Sequence, residues 1–259
     1  MRIQQRIKRK GEKDMTDLTV ALIDWLKSYK DATKCEGVVV GISGGKDSTT
    51  VAMLAKKVWG DNVVGVMMPD GTQSDLADSV AVCSALQIKS MLINIGQVKD
   101  DIIRVINHDC PLCDVSDKAA TNIPPRIRMT VLYAIAQSLG YRVIGTGNAS
   151  EAFIGWTTKW GDSACDFNPI ADLTCSEVVA VGLDLARDFG LPRKYITKDP
   201  SDGLTGTPDE ANFGFAYYEL DAYIRRDGNV QISDDVKSKI DRMHEATVHK
   251  RMLPAHYTR

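Results

Sequence analysis

An uninterrupted apolar run, Val38-Val39-Val40, leads directly into Gly41-Ile42-Ser43-Gly44-Gly45-Lys46-Asp47-Ser48, and a helical pattern (Val51, Met53, Leu54, Val58) begins near Thr49. A β-branched strand, a glycine turn and a helix, in that order, present backbone N–H groups to an anion at the positive end of the helix. Gly44 and Gly45 allow a tight turn and put no Cβ between the backbone and a phosphate. Ser43 and Ser48 add hydroxyl donors, and Asp47 supplies a carboxylate of the kind that polyphosphate chemistry pairs with Mg²⁺.

Two commoner phosphate loops are excluded. Walker A requires Gly-x4-Gly-Lys-Ser/Thr, whereas Val40 stands at its first glycine and Asp47 follows Lys46. The dinucleotide fingerprint Gly-x-Gly-x-x-Gly is also missing from this stretch. The remaining pattern, Ser-Gly-Gly-x-Asp-Ser after a buried strand, resembles the pyrophosphate loop of ATP pyrophosphatases that adenylate a substrate. A plain glycine turn with a serine cap is the alternative, and two serines, two glycines and an aspartate at this spacing weigh against it.

Around this loop the chain alternates. Strand Val38–Ile42 is followed by a helix over 48–58, strand Val63–Met68, a helix near 75–86, strand Met91–Ile95 and a helix near 97–107. A loop at 108–121, a helix over 124–139 and strand Arg142–Thr146 complete the series, and a helix from about Thr16 precedes it. Short apolar strands between amphipathic helices predict an α/β fold with a doubly wound parallel sheet. Ligands in such sheets sit beyond the carboxyl ends of the strands, so the turns at Gly41, Pro69 and Gly145 should face one crevice. The last third reads as helices with legible caps: Thr174-x-x-Glu177, Thr207-Pro208-Asp209-Glu210 and Ser233. No composition break or repeat divides the chain, so one domain spanning 1–259 is expected, with a frayed basic leader at 1–13.

Charge narrows the function classes. A formal net charge of −2 over 259 residues leaves no electrostatic footprint for nucleic acid or an acidic membrane. No apolar run is long enough to span a bilayer, and no signal-peptide core is visible, so a cytoplasmic protein is expected. The six cysteines then read as free thiols. Cys110-Pro-Leu-Cys113, flanked by His108 and Asp114, is a C-x-x-C pair with no second pair to complete a zinc site, and a surface loop is the expected reading.

Three further stretches carry unusual chemistry. Asn122-Ile-Pro-Pro-Arg126-Ile-Arg128-Met is expected to open a helix with two arginines near one crevice, and arginine's planar fork suits phosphate. Gly145-Thr146-Gly147-Asn148-Ala149-Ser150-Glu151 follows a strand and places Glu151 near Asp47, a carboxylate pair suited to Mg²⁺. Gly155-Trp156-Thr157-Thr158-Lys159-Trp160-Gly161-Asp162, with Asp166 beyond it, sets aromatics beside charge, as a flat heteroaromatic acid requires.

Taken in order with Pro208-Asp209-Glu210 and the terminal His249-Lys250-Arg251, these motifs resemble the ammonia-dependent NAD synthetases from roughly Val38 to Pro254. The resemblance implies a Rossmann-like fold of the adenine nucleotide alpha hydrolase type. It also implies a ligase that uses ATP to adenylate the nicotinate carboxylate of deamido-NAD and then lets ammonia displace AMP. By motif match, Ser43, Gly44, Gly45, Lys46, Asp47, Ser48, Gln73, Thr146, Cys175 and Ser201 would contact ATP, with Asp47 and Glu151 on Mg²⁺ as the catalytic pair. Arg126, Trp156, Lys159, Asp166, His249 and Lys250 would bind the acid dinucleotide. The family further implies a homodimer acting on small molecules, with neither nucleic acid nor membrane as partner.

The chain departs from the family pattern in places. Cys175 stands where a phosphate-contacting lysine is usual, Met67 where an arginine is common, and proline replaces alanine in Asn-Ile-Pro-Pro-Arg. Lys46 is a cation inside the loop that could replace the charge lost at 175; a merely solvated Lys46 is the plainer expectation. Two other readings keep the fold: a tRNA- or sulfur-carrier-modifying pyrophosphatase, and a nucleotide-binding relative without catalysis.

Overall fold

The computed structural model describes residues 12–71, 75–198 and 209–258, with side chains from Asp17 onward. Its centre is strand β1 (Val38–Gly41), which pairs in parallel with β2 (Val63–Met67) on one side and β4 (Arg142–Val143) on the other. Strand β3 (Lys89–Leu92) adds to the outside of β2, giving the order β3-β2-β1-β4. Side chains alternate across a strand, and both faces of β1 are apolar because both are covered. Val38 and Val40 join Ile42 in one core with helix α1 (Glu12–Thr33), α2 (Lys46–Trp59), α3 (Leu76–Leu86) and α7 (Cys175–Phe189). Val39 joins Val64, Val66 and Val143 in a second core, beneath α4 (Gly96–Asp109) and α5 (Asp117–Leu139). Helices on both faces of a parallel sheet are the doubly wound arrangement that the sequence predicts.

The remaining helices are α6 (Ala149–Ile154), α8 (Lys194–Thr197), α9 (Asp209–Phe213), α10 (Tyr217–Arg225), α11 (Asp234–Ala246) and α12 (Val248–Arg251). A third core of Ile154, Cys175, Phe213, Phe215, Tyr217, Leu220 and Ile240 binds α6, α9, α10 and α11 to the start of α7. Helices α2 and α7 pack closely because Gly182 has no side chain: a Cβ there would lie 2.5 Å from Thr50 Oγ1.

Several expected boundaries shift, each for a local reason. Residues 12 and 13, expected in the leader, already belong to α1, while 1–11 lie outside the described residues. Strand β3 begins at Lys89 rather than Met91 and all four of its residues are exposed. It is an edge strand, so main-chain pairing fixes it without an apolar alternation. The expected end survives as hydrogen bonds, Ile93 N to Met67 O and Ile95 N to Pro69 O, both 2.9 Å. β4 stops at Val143, although Ile144 N still donates to Val39 O at 3.1 Å and Ile144 makes an isolated bridge to Phe167.

The largest shift is at α5. It starts at Asp117, capped by Ser116 Oγ, which accepts from Ala119 N at 3.3 Å, and it runs straight through Pro124 and Pro125. Tandem prolines remove two backbone donors and normally break a helix interior. Here both are buried, and Pro125 meets the 156–162 loop so closely that a Cβ on Gly161 would lie 2.9 Å from Pro125 Cβ. Asn122–Arg128 is therefore mid-helix rather than a helix start. The caps at Thr174 and Ser233 lie as expected, whereas Thr207 and Pro208 fall outside the described residues.

Candidate active site

The turns after β1, β2 and β4 open on one cleft of about 460 Å³, lined by Gly41, Pro69 and Gly145 together with the glycine loop. A larger groove of about 1090 Å³ runs along α10 and the loop to α11, remote from every strand end. The cleft is the better candidate because it gathers the glycine loop and the carboxylates described next.

The loop closes on its own serines. Ser43 Oγ and Ser48 Oγ lie 3.0 Å apart, Ser48 Oγ accepts from Ser43 N at 3.2 Å, and Ser43 Oγ accepts from Gly45 N at 3.2 Å. Gly44 takes φ +77° with Ser79 N and Asp78 Cβ each 3.0 Å from where a Cβ would be, so backbone conformation and space both demand glycine. Gly44 itself lies outside the cleft lining; Ser43, Gly45, Lys46, Asp47 and Ser48 are on it.

Asp47 and Glu151 come together through Asn148. This fully buried side chain accepts from Glu151 N at 3.0 Å and donates to Asp47 Oδ1 at 3.0 Å, while Asn148 N donates to Glu151 Oε2 at 3.2 Å. The capping box that starts α6 thus also holds two carboxylates in one place. Burial, and then the charge of Asp47, push the Glu151 carboxyl up to about 8. On the other side Lys46, only 5% exposed, donates to Asp47 Oδ2 at 2.7 Å, with its ammonium 5.5 Å from the centre of the Tyr217 ring. Burial alone would lower the Lys46 pKa, but the adjoining Asp47 carboxylate raises it overall, so the lysine stays charged. A solvated Lys46 is ruled out.

This donor set suits Mg²⁺. The cation favours one or two carboxylates, completing its shell with water and substrate phosphate, and two crowded carboxylates whose repulsion a divalent ion would relieve are present. Among the described residues no group of three His, Cys, Asp or Glu forms a cage, so a phosphate would have to complete the site.

The other expected residues divide. Thr146, Trp156 and Lys250 line the cleft. Trp156 Nε1 donates to Asp209 Oδ1 at 3.2 Å, and Asp209 Oδ2 also accepts from Tyr217 at 2.9 Å. Lys250 Nζ donates to Gly155 O and Thr157 O at 2.7 and 2.6 Å, and burial lowers its pKa. Arg126, Lys159 and His249 do not line the cleft of this chain but form a rim beside it: Arg126 Nε reaches Lys159 O at 3.4 Å and Lys159 Nζ donates to His249 O at 2.6 Å. Asp166 is at the sheet edge, accepting from Val143 N at 2.7 Å, which uses its carboxylate structurally. Gln73 and Ser201 lie outside the described residues.

Cys175 is displaced from its expected role. Its N–H donates to Ser150 Oγ at 2.9 Å, and Asp221 accepts from Ser150 Oγ at 2.5 Å and Ser176 N at 2.8 Å. The start of α7 is thereby satisfied by protein groups. The buried thiol sits behind Lys46, and desolvation pushes its pKa well above the ordinary range, so it is no thiolate to repel a phosphate.

Two residues take roles that the sequence reading left open. Arg128 lines the cleft, donating from Nε to Met68 O at 3.0 Å, while Arg126 points outward, because residues two apart in a helix interior face different ways. The Ser116 cap was the available signal for that phase. Asn148 was visible in the Gly-Thr-Gly-Asn motif, but its bridging role depends on Asp47 approaching from another helix.

A family profile described as NAD synthase matches residues 18–254. The NH(3)-dependent NAD(+) synthetase of Carboxydothermus hydrogenoformans is 37% identical over 91% of this chain and 95% of its own length. That of Mycoplasmopsis pulmonis is 39% identical over 94% and 91%. Among solved structures, an NMN synthetase from Francisella tularensis superposes with a TM-score of 0.83 at 30% identity, covering 94% of this chain and 98% of that one. An NH3-dependent NAD synthetase from Campylobacter jejuni, in complex with nitrate, gives 0.76 at 27% identity, covering 94% and 99%.

Proposed function

Because the chain belongs to the NAD synthase family, we propose that it uses ATP to join ammonia to the nicotinate carboxylate of deamido-NAD, giving NAD, AMP and pyrophosphate. The observation that carries this reading is the Asp47–Asn148–Glu151 bridge facing the serine-glycine loop in one cleft. A carboxylate oxygen of the substrate attacks the α-phosphorus of ATP, and the bond to pyrophosphate breaks. Ammonia then attacks the acyl carbon, the bond to AMP breaks and the nitrogen loses a proton. No protein nucleophile is required.

The residues have roles to match. Gly45 and the hydroxyls of Ser43 and Ser48 receive the departing pyrophosphate, Gly44 supplying only the tight turn that presents them, and the fixed Lys46 ammonium offsets the charge. Asp47 and Glu151 would hold Mg²⁺, which supplies Lewis-acid stabilisation of phosphate oxygens. By motif match, Thr146, Gln73 and Ser201 would contact ATP. Trp156 offers a ring face and Lys250 a cation to the nicotinate end, with Arg128 added by its place in the cleft. Arg126, Lys159 and His249 form an outer basic rim for the distal phosphates and ribose. The whole chain acts as one domain. A homodimer fits the exposed apolar Met91 and Leu92 on the β3 edge and Val98 and Val105 on α4, which a second copy would cover. An ATP-consuming ligase of small molecules belongs in the cytoplasm.

A second reading, favoured by the superposition on an NMN synthetase, replaces the dinucleotide by nicotinic acid mononucleotide. One assay separates them: ATP, Mg²⁺ and ammonium with either acid nucleotide, products resolved by chromatography. Amidation of the dinucleotide with the higher kcat/KM, with AMP and pyrophosphate, supports the first reading. Preference for the mononucleotide supports the second, and ADP with orthophosphate would overturn adenylation in both.

A further inference from the structure

We infer that Cys110 and Cys113 form a reversible dithiol site that exchanges with low-molecular-weight disulfides, Cys110 attacking and Cys113 resolving. Cys110 ends α4, its N–H bonded to Ile106 O at 2.9 Å, and the Pro111-Leu112 turn brings Cys113 back so that the two sulfurs lie 3.7 Å apart. A disulfide requires about 2.05 Å between sulfurs, so the two sulfurs are already neighbours with a short gap left to close. The turn is already restricted. Pro111 fixes one backbone angle, and the exit is pinned by Val115 N donating to Asn107 Oδ1 at 2.8 Å.

Access and reactivity agree with the geometry. Cys113 is exposed, Cys110 is partly exposed, and Leu112 between them is 89% exposed. The N–H groups of Leu112 and Cys113, then the Cys113 thiol, hydrogen-bond to the Cys110 sulfur and hold it below the ordinary thiol range. Cys113 is held above that range by its contact with the Cys110 sulfur, by desolvation and by the charge of Asp114. The more acidic thiol is the better populated nucleophile. Cys35, Cys83, Cys165 and Cys175 are all pushed the other way by burial. Among the described residues no third His, Cys, Asp or Glu joins the pair into a metal-binding group, which leaves thiol–disulfide exchange as the chemistry the loop supports.

The exchange balances. The Cys110 thiolate attacks one sulfur of RS–SR, forming a mixed disulfide and releasing RS⁻. Cys113 loses its proton to solvent and attacks the Cys110 sulfur, forming the intramolecular disulfide and releasing a second RS⁻. Two protein thiols are oxidised and one small disulfide is reduced to two thiols. The site is independent of the cleft and of the reaction proposed there.

The test uses the full chain incubated with oxidised glutathione, quenched with acid, alkylated with N-ethylmaleimide and mapped by mass spectrometry. The peptide carrying both cysteines should lose two alkylation sites together and be 2 Da lighter than its reduced form. Cys113→Ser should accumulate a glutathione adduct on Cys110 at least about tenfold faster than Cys110→Ser acquires one on Cys113. The inference is overturned if both thiols stay alkylatable, if the two single variants form adducts at equal rates, or if buried cysteines oxidise first. Unchanged melting curves for both variants would show that adduct rates report on the loop rather than on unfolding.

Discussion

Helices α6 and α7 begin with the same device and use it differently. In each, a polar N-cap (Asn148 or Thr174) accepts from the N–H of a glutamate three residues on, and that glutamate (Glu151 or Glu177) accepts from the cap's own N–H. The surroundings set them apart. Glu151 faces Asp47 in a buried corner, and burial and that charge push its carboxyl up. Glu177 is also pushed up by burial, but the two-pronged grip of Arg225, 3.1 Å at Oε1 and 2.7 Å at Oε2, and the Thr174 N–H bring it below the ordinary range overall. One box is set against a like charge and poised for a cation; the other is satisfied by protein. A local motif fixes the helix start, and the neighbour from elsewhere in the chain decides whether the carboxylate is chemistry or scaffold.

The comparison breaks most visibly by removing the charge that makes the first box unusual. Asp47→Asn keeps the size and the Asn148 contact but halves the carboxylate pair, and kcat/KM should fall by more than about 100-fold, beyond the range for residues that only orient a metal ligand. Steady-state kinetics at saturating Mg²⁺ measure it; a loss under tenfold would mean that Asp47 is scaffold after all.

Exchanging the caps sharpens the same contrast. Asn148→Ala removes the group that orients both carboxylates, so activity should drop about 10- to 100-fold with an increased Mg²⁺ requirement. Thr174→Ala removes a cap of the same kind and should lower stability by about 1 kcal/mol with activity retained. Denaturant melts and Mg²⁺ titrations on the two variants separate the roles; equal effects on both readouts would erase the distinction drawn here.

Much of this was legible in the sequence, for stated reasons. Val38–Gly41, the glycine loop and the cap at Thr174 are local patterns, and locality is what periodicity and cap chemistry report. What depended on distant parts was not legible. Arg128 rather than Arg126 enters the cleft because α5 begins at Asp117, after the Ser116 cap, and tolerates Pro124 and Pro125 against the Gly161 loop, a tertiary contact. Asp166 became a sheet-edge acceptor because β4 ends at Val143, leaving its neighbour's path free to bond back. Lys46 could be read as solvated or as a replacement charge; its burial, with the Tyr217 ring from the last third 5.5 Å from its ammonium, depends on distant parts of the chain.

The smallest expected effect belongs to the second box, and its sign follows from the same balance. Arg225 also donates to Asp172 O, so it ties the α7 start to α10 and to the preceding turn. Glu177 has its folded pKa below the ordinary value of 4.5, so the stability it contributes is present above pH 4.5 and is lost as pH falls through the folded value. The side chains of Arg225 and Glu177 are 38% and 34% exposed, so solvent screening limits the pair to about 0.5–1 kcal/mol. Arg225→Ala should therefore lower Tm by about 1–4 °C at pH 7. The gap between variant and wild type should narrow on titration from pH 5 to pH 3, because protonated Glu177 no longer distinguishes them through charge. Differential scanning calorimetry across that range reads both. A gap that is constant with pH would assign Arg225's contribution to the Asp172 carbonyl and packing instead of to the Glu177 carboxylate.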